Sequence, residues 1–145
     1  MYKGGRPHRI AAALDRATAV LASAGLSPKR LVTLEVRGRR SGRVISQPVV
    51  EADFDGERYL VAMLGKTANW VRNVHAAQGR AVIRHRTREP VRLVEVPVAD
   101  RAPIIRRYLQ VAPGARAHIP VDREAPLDEF ERVAADYPTF RIVPE

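Results

Sequence analysis

A short stretch crowded with arginine and glycine separates two runs of β-branched residues, and this pattern constrains the fold more than any other feature of the chain. The runs cover residues 31–36 and 44–50, and the sequence between them is Arg-Gly-Arg-Arg-Ser-Gly-Arg, residues 37–43. Runs of this kind, bounded by turn-forming residues, are typical of strands. The segment therefore predicts a β-hairpin that carries four arginines at its tip.

The glycines of this tip suggest an anion-binding turn. Gly38 and Gly42 allow backbone conformations that other residues avoid, so the tip could direct N–H groups toward an anion while the arginines neutralise its charge. A ligand that carries a phosphate fits this chemistry. The alternative is a solvated turn whose charges discourage aggregation at a sheet edge.

Composition limits the classes of protein to which the chain can belong. Its 145 residues predict a single domain, residues 1–145, that is large enough to bury a core. The 25 basic and 16 acidic residues leave a net charge of +9, which favours an anionic partner. Because cysteine is absent, there is no disulfide framework or thiolate metal site, and a cytoplasmic protein is expected. No apolar run is long enough to cross a bilayer, so we expect no stable membrane insertion.

Apolar periodicity predicts helices around a sheet. Residues 8–24 read as an amphipathic helix that covers a sheet face, with a membrane-surface helix as the alternative. Three further helices are predicted: residues 68–77, a helix capped by Asp100 that runs through residue 109, and residues 128–135.

Hairpins dominate the remaining chain. Asp55-Gly56 is a strong two-residue turn signal that precedes a third strand, residues 58–64, which we expect to pair with the second. Residues 81–85 and 91–96 form another hairpin across residues 86–90, and residues 140–143 form the last strand. The predicted fold class is therefore α+β and mainly β: a split β-barrel of antiparallel strands with peripheral helices.

A second informative stretch follows the third strand. Gly65 would let a ligand approach the backbone, Lys66 adds a cation, and the start of the next helix offers N–H groups to negative charge. Trp70 could wall a flat aromatic ligand, although a single tryptophan is also a common core residue, and Asn73 shares its helix face. The four histidines show no metal-ligand spacing, so no metal site is expected.

Together, the Gly-Arg-Arg-Ser-Gly tip and the downstream Trp-Val-Arg-Asn-Val helix, residues 70–74, resemble the deazaflavin-dependent nitroreductase family, a branch of the split-barrel flavin-binding proteins. The resemblance implies that the chain binds coenzyme F-420, an 8-hydroxy-5-deazaflavin with an acidic tail. It also implies which residues contact the cofactor: the tip holds the phosphate or tail, the end of the third strand lies along the ring, and the helix closes the pocket. The implied cofactor-binding residues are Arg39, Arg40, Ser41, Gly42, Gln47, Pro48, Met63, Leu64, Gly65, Lys66, Trp70 and Asn73.

The implied activity is transfer of a hydride from reduced F-420 to a small electrophilic acceptor, either a quinone, a nitro compound or an enone. Tyr137 is the candidate catalytic residue, which would protonate or orient the acceptor, whereas Phe140 beside it cannot donate a proton. Split-barrel relatives often pair, which is compatible with a homodimer.

Three alternatives stay open. The chain could be an FMN- or haem-binding split barrel, or a deazaflavin carrier without catalysis. A basic nucleic-acid-binding barrel is the third, but aromatic residues are only 6% of the chain and do not interleave with arginine as base stacking requires, so no nucleic-acid partner is expected.

Overall fold

A computed structural model describes residues 28–145 of the chain. The predicted helix over residues 8–24 lies outside the described residues. Residues 1–27 of the predicted single domain also lie outside them. The described residues form seven strands and three α-helices. The strands are β1 (Leu31–Arg37), β2 (Val44–Val50), β3 (Ala52–Phe54), β4 (Glu57–Val61), β5 (Arg80–His85), β6 (Thr87–Glu95) and β7 (Thr139–Pro144). The helices are α1 (Asn69–Ala76), α2 (Ala102–Val111) and α3 (Leu127–Val133).

All seven strands belong to one sheet in the order β2-β1-β5-β6-β7-β4-β3, and every neighbouring pair is antiparallel. The extended segment of residues 44–54 pairs first with β1 and then, as β3, with β4. It therefore connects the two edges of the sheet and curls it into a half-barrel. The predicted antiparallel, mainly β architecture is confirmed.

Three local predictions were wrong. The third strand, β4, pairs with β3 and β7 rather than with the long second strand, because the Asp55-Gly56 turn folds it back onto the short segment after Glu51. The second hairpin needs no five-residue loop: Arg86 alone, at φ 74°, makes the connection, so pairing extends from His85 to Thr87.

The third wrong prediction concerns the start of α2. Asp100 lies in a 3-10 turn before the helix, Arg101 is at the N-cap position, and no side chain caps the helix. The buried Arg101 instead ties this corner together, because its guanidinium donates to the carbonyl oxygens of Val96 (2.8 Å) and Ala134 (3.1 Å). Pro103 is in the first turn, as predicted.

Two apolar clusters hold the layers together. The inner cluster fills the half-barrel with alternate residues of the central strands, and α1 packs onto it through Val71 and Val74. The outer cluster joins β3 and β4 to α2 and α3 and is centred on large, fully buried side chains: Phe130, Ile105 and Leu109. Strand β4 serves both clusters, since Leu60 faces inward while Tyr59 and Val61 face the helices. No helix within residues 28–145 is long and apolar enough to cross a membrane.

An ion-pair network closes the half-barrel near the start of β1. The guanidinium of Arg58 contacts both carboxylates beside it, Glu51 at 2.9 Å and Glu89 at 2.8 Å. Hydrogen bonds from Arg58 hold the pKa of Glu89 below its ordinary value of 4.5. The network joins β4 to β6 across a polar cavity that Val32 and Ile83 also line.

Replacing Arg58 with methionine should destabilise the fold by about 1–2 kcal/mol at neutral pH, because two close carboxylates lose their shared cation. A carboxyl whose folded pKa is depressed contributes stability above its unfolded pKa and loses that contribution as the pH falls. The difference between wild type and Arg58→Met should therefore shrink below about pH 4.5. Urea unfolding at neutral and acidic pH measures this, with the exposed Arg132→Met as control. An equal loss at both pH values would contradict the ionic explanation.

Candidate functional site

The predicted hairpin tip is a compact turn between β1 and β2. The N–H of Gly38 donates to the carbonyl of Arg43 at 2.7 Å, and the N–H of Gly42 donates to the carbonyl of Gly38 at 2.9 Å. Gly42 has a φ of 74°, which side chains disfavour. A Cβ on Gly38 would lie 2.8 Å from the Cδ1 of Ile45 and 3.2 Å from the carbonyl oxygen of Arg43, so a side chain there would require the Ile45 side chain to shift.

Side chains of the tip fix its shape further. Ser41 Oγ accepts from the N–H of Arg43 at 3.1 Å, and the guanidinium of Arg37 donates to the carbonyl of Gly42 at 2.7 Å. Among the residues that the structure describes, the N–H groups of Arg40 and Ser41 have no acceptor. These two groups are therefore the ones that remain for an anion at the tip.

Asn73 fastens the tip to helix α1. Its buried side-chain oxygen accepts from the N–H of Arg39 at 3.1 Å and from the guanidinium of the same residue at 2.8 Å. One amide thus fixes both the backbone and the side chain of Arg39. Asn73, which was predicted to contact the cofactor, holds an arginine of the tip in the structure, and its contact with the cofactor stays a prediction.

The cations of this region carry uncompensated charge. In residues 28–145, no carboxylate lies within ion-pair distance of Arg39, Arg40, Arg43, Lys66 or Arg72. Arg40, Arg43, Lys66 and Arg72 are exposed, while Arg39 is half-buried. An anion bound at the tip would therefore meet positive charge with which no carboxylate of residues 28–145 is paired.

An apolar cavity of about 270 Å³ lies between β2, the end of β4, α1 and α2. One wall brings together predicted site residues from three elements: Gln47 and Pro48, Met63 and Leu64, and Trp70. The wall from α2 and the turn after it was not predicted and consists of Tyr108 and the small residues Ala112, Pro113, Gly114 and Ala115. Leu31, Val49, Val50 and Val61 also line the cavity.

Helix α1 connects the cavity to the tip. Trp70 lines the cavity and Asn73 holds the tip, and three residues of helix separate them by a rise of about 4.5 Å. The Trp70 ring also packs on Phe140 of the inner cluster, with centroids 5.6 Å apart. Trp70 is thus both a core residue and a cavity wall. The sequence suggested either a core residue or a wall for a flat ligand, and these two roles do not exclude each other.

The remaining predicted residues lie beside the cavity rather than in its lining. Gly65, at φ 90°, and the exposed Lys66 directly follow Leu64 on the cavity rim. No side chain caps the N-terminus of α1, which begins at Asn69. Among the described residues there is also no group of three or more His, Cys, Asp or Glu that could hold a metal ion.

Tyr137 is not part of the cavity lining. Its hydroxyl donates to the carbonyl of His118 at 3.0 Å, and burial raises the pKa of the phenol. The catalytic role of Tyr137 stays a prediction. In the structure, the hydroxyl of this residue already has a hydrogen-bond partner. The tyrosine that does reach the cavity, Tyr108, gave no sequence signal beyond its position on a helix.

The fold is similar to solved structures at low sequence identity. A protein from Agrobacterium tumefaciens matches with a TM-score of 0.57 at 16% identity, over 80% of this chain and 48% of that one. An FAD-binding protein from Mesorhizobium loti matches with a TM-score of 0.51 at 16% identity, over 88% of this chain and 89% of that one.

A heme-binding protein from Mycobacterium smegmatis is a third similar structure, with a TM-score of 0.54 at 14% identity, over 86% of this chain and 49% of that one. The chain thus spans about half the length of the Agrobacterium and Mycobacterium proteins. These likenesses support the split-barrel fold. No curated protein matches the chain by sequence.

The family is shown by sequence. The family model named F420H(2)-dependent quinone reductase matches residues 8–128. The match covers most of the chain, including the hairpin tip, α1 and the cavity wall from α2. It confirms the deazaflavin cofactor and the oxidoreductase class that the two sequence motifs implied. The chain belongs to the family of F420H(2)-dependent quinone reductases.

Proposed function

We propose that this chain reduces a quinone with reduced coenzyme F-420, holding the cofactor ring at the apolar cavity and its phosphate-bearing tail at the hairpin tip. The observation that carries the proposal is the link through α1, which puts a tryptophan-walled apolar cavity one helical turn from a set of cations that have no carboxylate partner in the described part of the chain. When bound, the coenzyme supplies a hydride to the acceptor.

The protein residues have distinct roles in this proposal. Arg39 and Arg40 bind the anionic tail, together with the N–H groups of Arg40 and Ser41. Asn73 orients Arg39, and Trp70 walls the ring with Met63. The apolar lining excludes water from the reacting centre. Homodimer formation and a cytoplasmic location stay predictions.

Titration with oxidised F-420, followed by Trp70 fluorescence, tests the binding half of the proposal. We expect salt-sensitive binding, because phosphate and carboxylate groups of the tail meet exposed cations. Steady-state oxidation of reduced F-420 with a naphthoquinone, a nitroarene and an enone then ranks the acceptors. Failure to bind F-420, or binding without quinone reduction, would overturn the proposal.

A flavin- or haem-binding protein without catalysis is the second candidate. It is favoured by the names of two structural neighbours, an FAD-binding protein and a heme-binding protein. Within residues 28–145, however, the cavity lining includes no histidine or cysteine to ligate a haem iron. Competition of FMN against F-420 in the same titration distinguishes the flavin version.

Gly114 should set the size of acceptor that the cavity accepts. A Cβ at this position would meet no atom within 4 Å, so a larger side chain there is tolerated by the fold and occupies cavity space. We expect Gly114→Phe to lower kcat/KM for a naphthoquinone by about 10-fold more than for a benzoquinone, a difference typical of pocket-size effects. The matched control is Ala117→Phe, at an exposed position of the same turn that does not line the cavity. Equal loss with both quinones would contradict this role.

A further inference from the structure

The unpredicted wall of the cavity contains one hydroxyl group. Among the described residues of the lining, only Gln47, Trp70 and Tyr108 have side chains with nitrogen or oxygen atoms. Gln47 and Trp70 come from the wall that sequence reasoning assigned to the cofactor. Tyr108 comes from the C-terminal half of α2, on the wall that was not predicted.

The Tyr108 hydroxyl has no partner in the described part of the chain. Its residue is only 4% exposed, yet no hydrogen bond within residues 28–145 involves its oxygen. In the same residues, no fully buried side-chain nitrogen or oxygen lacks a partner. The hydroxyl is therefore not sealed inside the core, and the cavity is the space onto which it opens.

The surroundings keep this hydroxyl in its protonated form. Burial raises the pKa of Tyr108 far above the ordinary value of a phenol. The neighbouring lining residues, Val61, Ala112 and Ala115, are apolar, so no base faces it there. A protonated phenol in such a place offers a hydrogen bond to any ligand that brings an acceptor oxygen, and leaving it unmade has a cost.

We propose that Tyr108 donates a hydrogen bond to a carbonyl oxygen of the electron acceptor and so orients the acceptor against the cofactor wall. This inference rests on the proposed function, since it deepens the acceptor side of the same cavity. It predicts a preference for acceptors with a carbonyl over electrophiles of equal size that have none. The sequence-based candidate for this role, Tyr137, stays a prediction; its hydroxyl donates to the carbonyl of His118, and it does not line the cavity.

The role of the hydroxyl is electrostatic. A quinone becomes a hydroquinone by taking two electrons and one hydrogen as a hydride from the coenzyme, and its second hydrogen as a proton from solvent. Negative charge develops on the carbonyl oxygen as the hydride arrives, and a donor fixed at that oxygen stabilises it. Tyr108 keeps its own proton throughout, so the enzyme needs no step to restore it.

Tyr108→Phe tests the proposal, because it removes only the oxygen. We expect kcat/KM for 2-methyl-1,4-naphthoquinone to fall on the order of 10-fold, as for one lost hydrogen bond, with the affinity for F-420 unchanged. Tyr59→Phe is the matched control: Tyr59 is also a buried tyrosine of the outer cluster, but it does not line the cavity. Unchanged kcat/KM, or a weakened affinity for F-420 instead, would overturn the proposal.

A second readout does not depend on turnover or on the cofactor. The infrared carbonyl stretch of the same naphthoquinone, bound to the protein without F-420, should lie at lower frequency in wild type and in Tyr59→Phe than in Tyr108→Phe. This shift persists even if the protein proves not to reduce quinones, so failure of the proposed function is separable from failure of this inference. Equal frequencies in all three proteins, or no binding of the quinone, would refute the hydrogen bond.

Discussion

Replacing Arg39 and Arg40 together with alanine should weaken the binding of oxidised F-420 by on the order of 100-fold or more. Each charge-assisted hydrogen bond contributes about 1.5–3 kcal/mol, and 1.4 kcal/mol is tenfold in affinity. Both arginines lack a carboxylate partner among the described residues, so their charge is available to the ligand. The dissociation constant, measured by fluorescence titration at two salt concentrations, should also become less salt-dependent.

Two controls separate this effect from general changes in charge or folding. Arg86→Ala/Arg123→Ala removes the same charge at exposed positions; Arg86 lies in the β5–β6 turn, at the end of the sheet away from the tip. Arg40→Ala alone removes an exposed side chain that has no hydrogen bond within residues 28–145, so the fold should be unaffected. If all of these variants bind F-420 equally, the tip is not the anion site.

Two substitutions of Asn73 should separate the effect of the tip's shape from the effect of its charge. Asn73→Asp keeps an oxygen for both Arg39 donors but pairs the guanidinium with a carboxylate. We expect stability near that of wild type and F-420 affinity lower by about 10- to 100-fold, because Arg39 is neutralised by its new partner.

Asn73→Leu should have the opposite effects: it should lower stability and change F-420 affinity less. It leaves the Arg39 N–H without its buried acceptor, so unfolding should become easier by about 1–3 kcal/mol, whereas the charge of the tip is retained. Urea unfolding and F-420 titration of both variants decide between the two effects. Normal F-420 affinity in Asn73→Asp would contradict the role of Arg39 as a free cation. The matched control is Gln110→Leu, since this exposed amide lies on α2 and does not line the cavity.

The buried Asn73 shows why the helix motif and the hairpin tip belong together. The Trp-Val-Arg-Asn-Val helix places an aromatic ring and an amide on one face, three residues apart. The ring walls the cavity and the amide fixes Arg39, which is 34 positions earlier in the chain. The two motifs of the sequence are therefore in direct contact in the fold, and this physical link is a reason for their occurrence together.

The site could be predicted only where its residues lie in local motifs. Gln47, Pro48, Met63, Leu64 and Trp70 were expected at the cofactor, and all five line the cavity. Their contacts with F-420 stay predictions. The wall from α2 and the following turn could not be found in this way, because Ala112 and Gly114 have no chemical signature. Tyr137 was predicted because it carries a hydroxyl, but a sequence cannot show that this hydroxyl already donates a hydrogen bond to a backbone carbonyl.

The sequence by itself determined the local structure: the arginine-rich hairpin, the Asp55-Gly56 turn and the antiparallel class of the sheet. These follow from β-branched runs and turn residues, whose preferences act between near neighbours. Tertiary structure alone decided which strands pair at the edges, where Asn73 directs its oxygen, and that Tyr108 rather than Tyr137 faces the cavity. Those outcomes depend on how α1 and α2 pack onto the curled sheet, and such packing joins residues that are far apart in the chain.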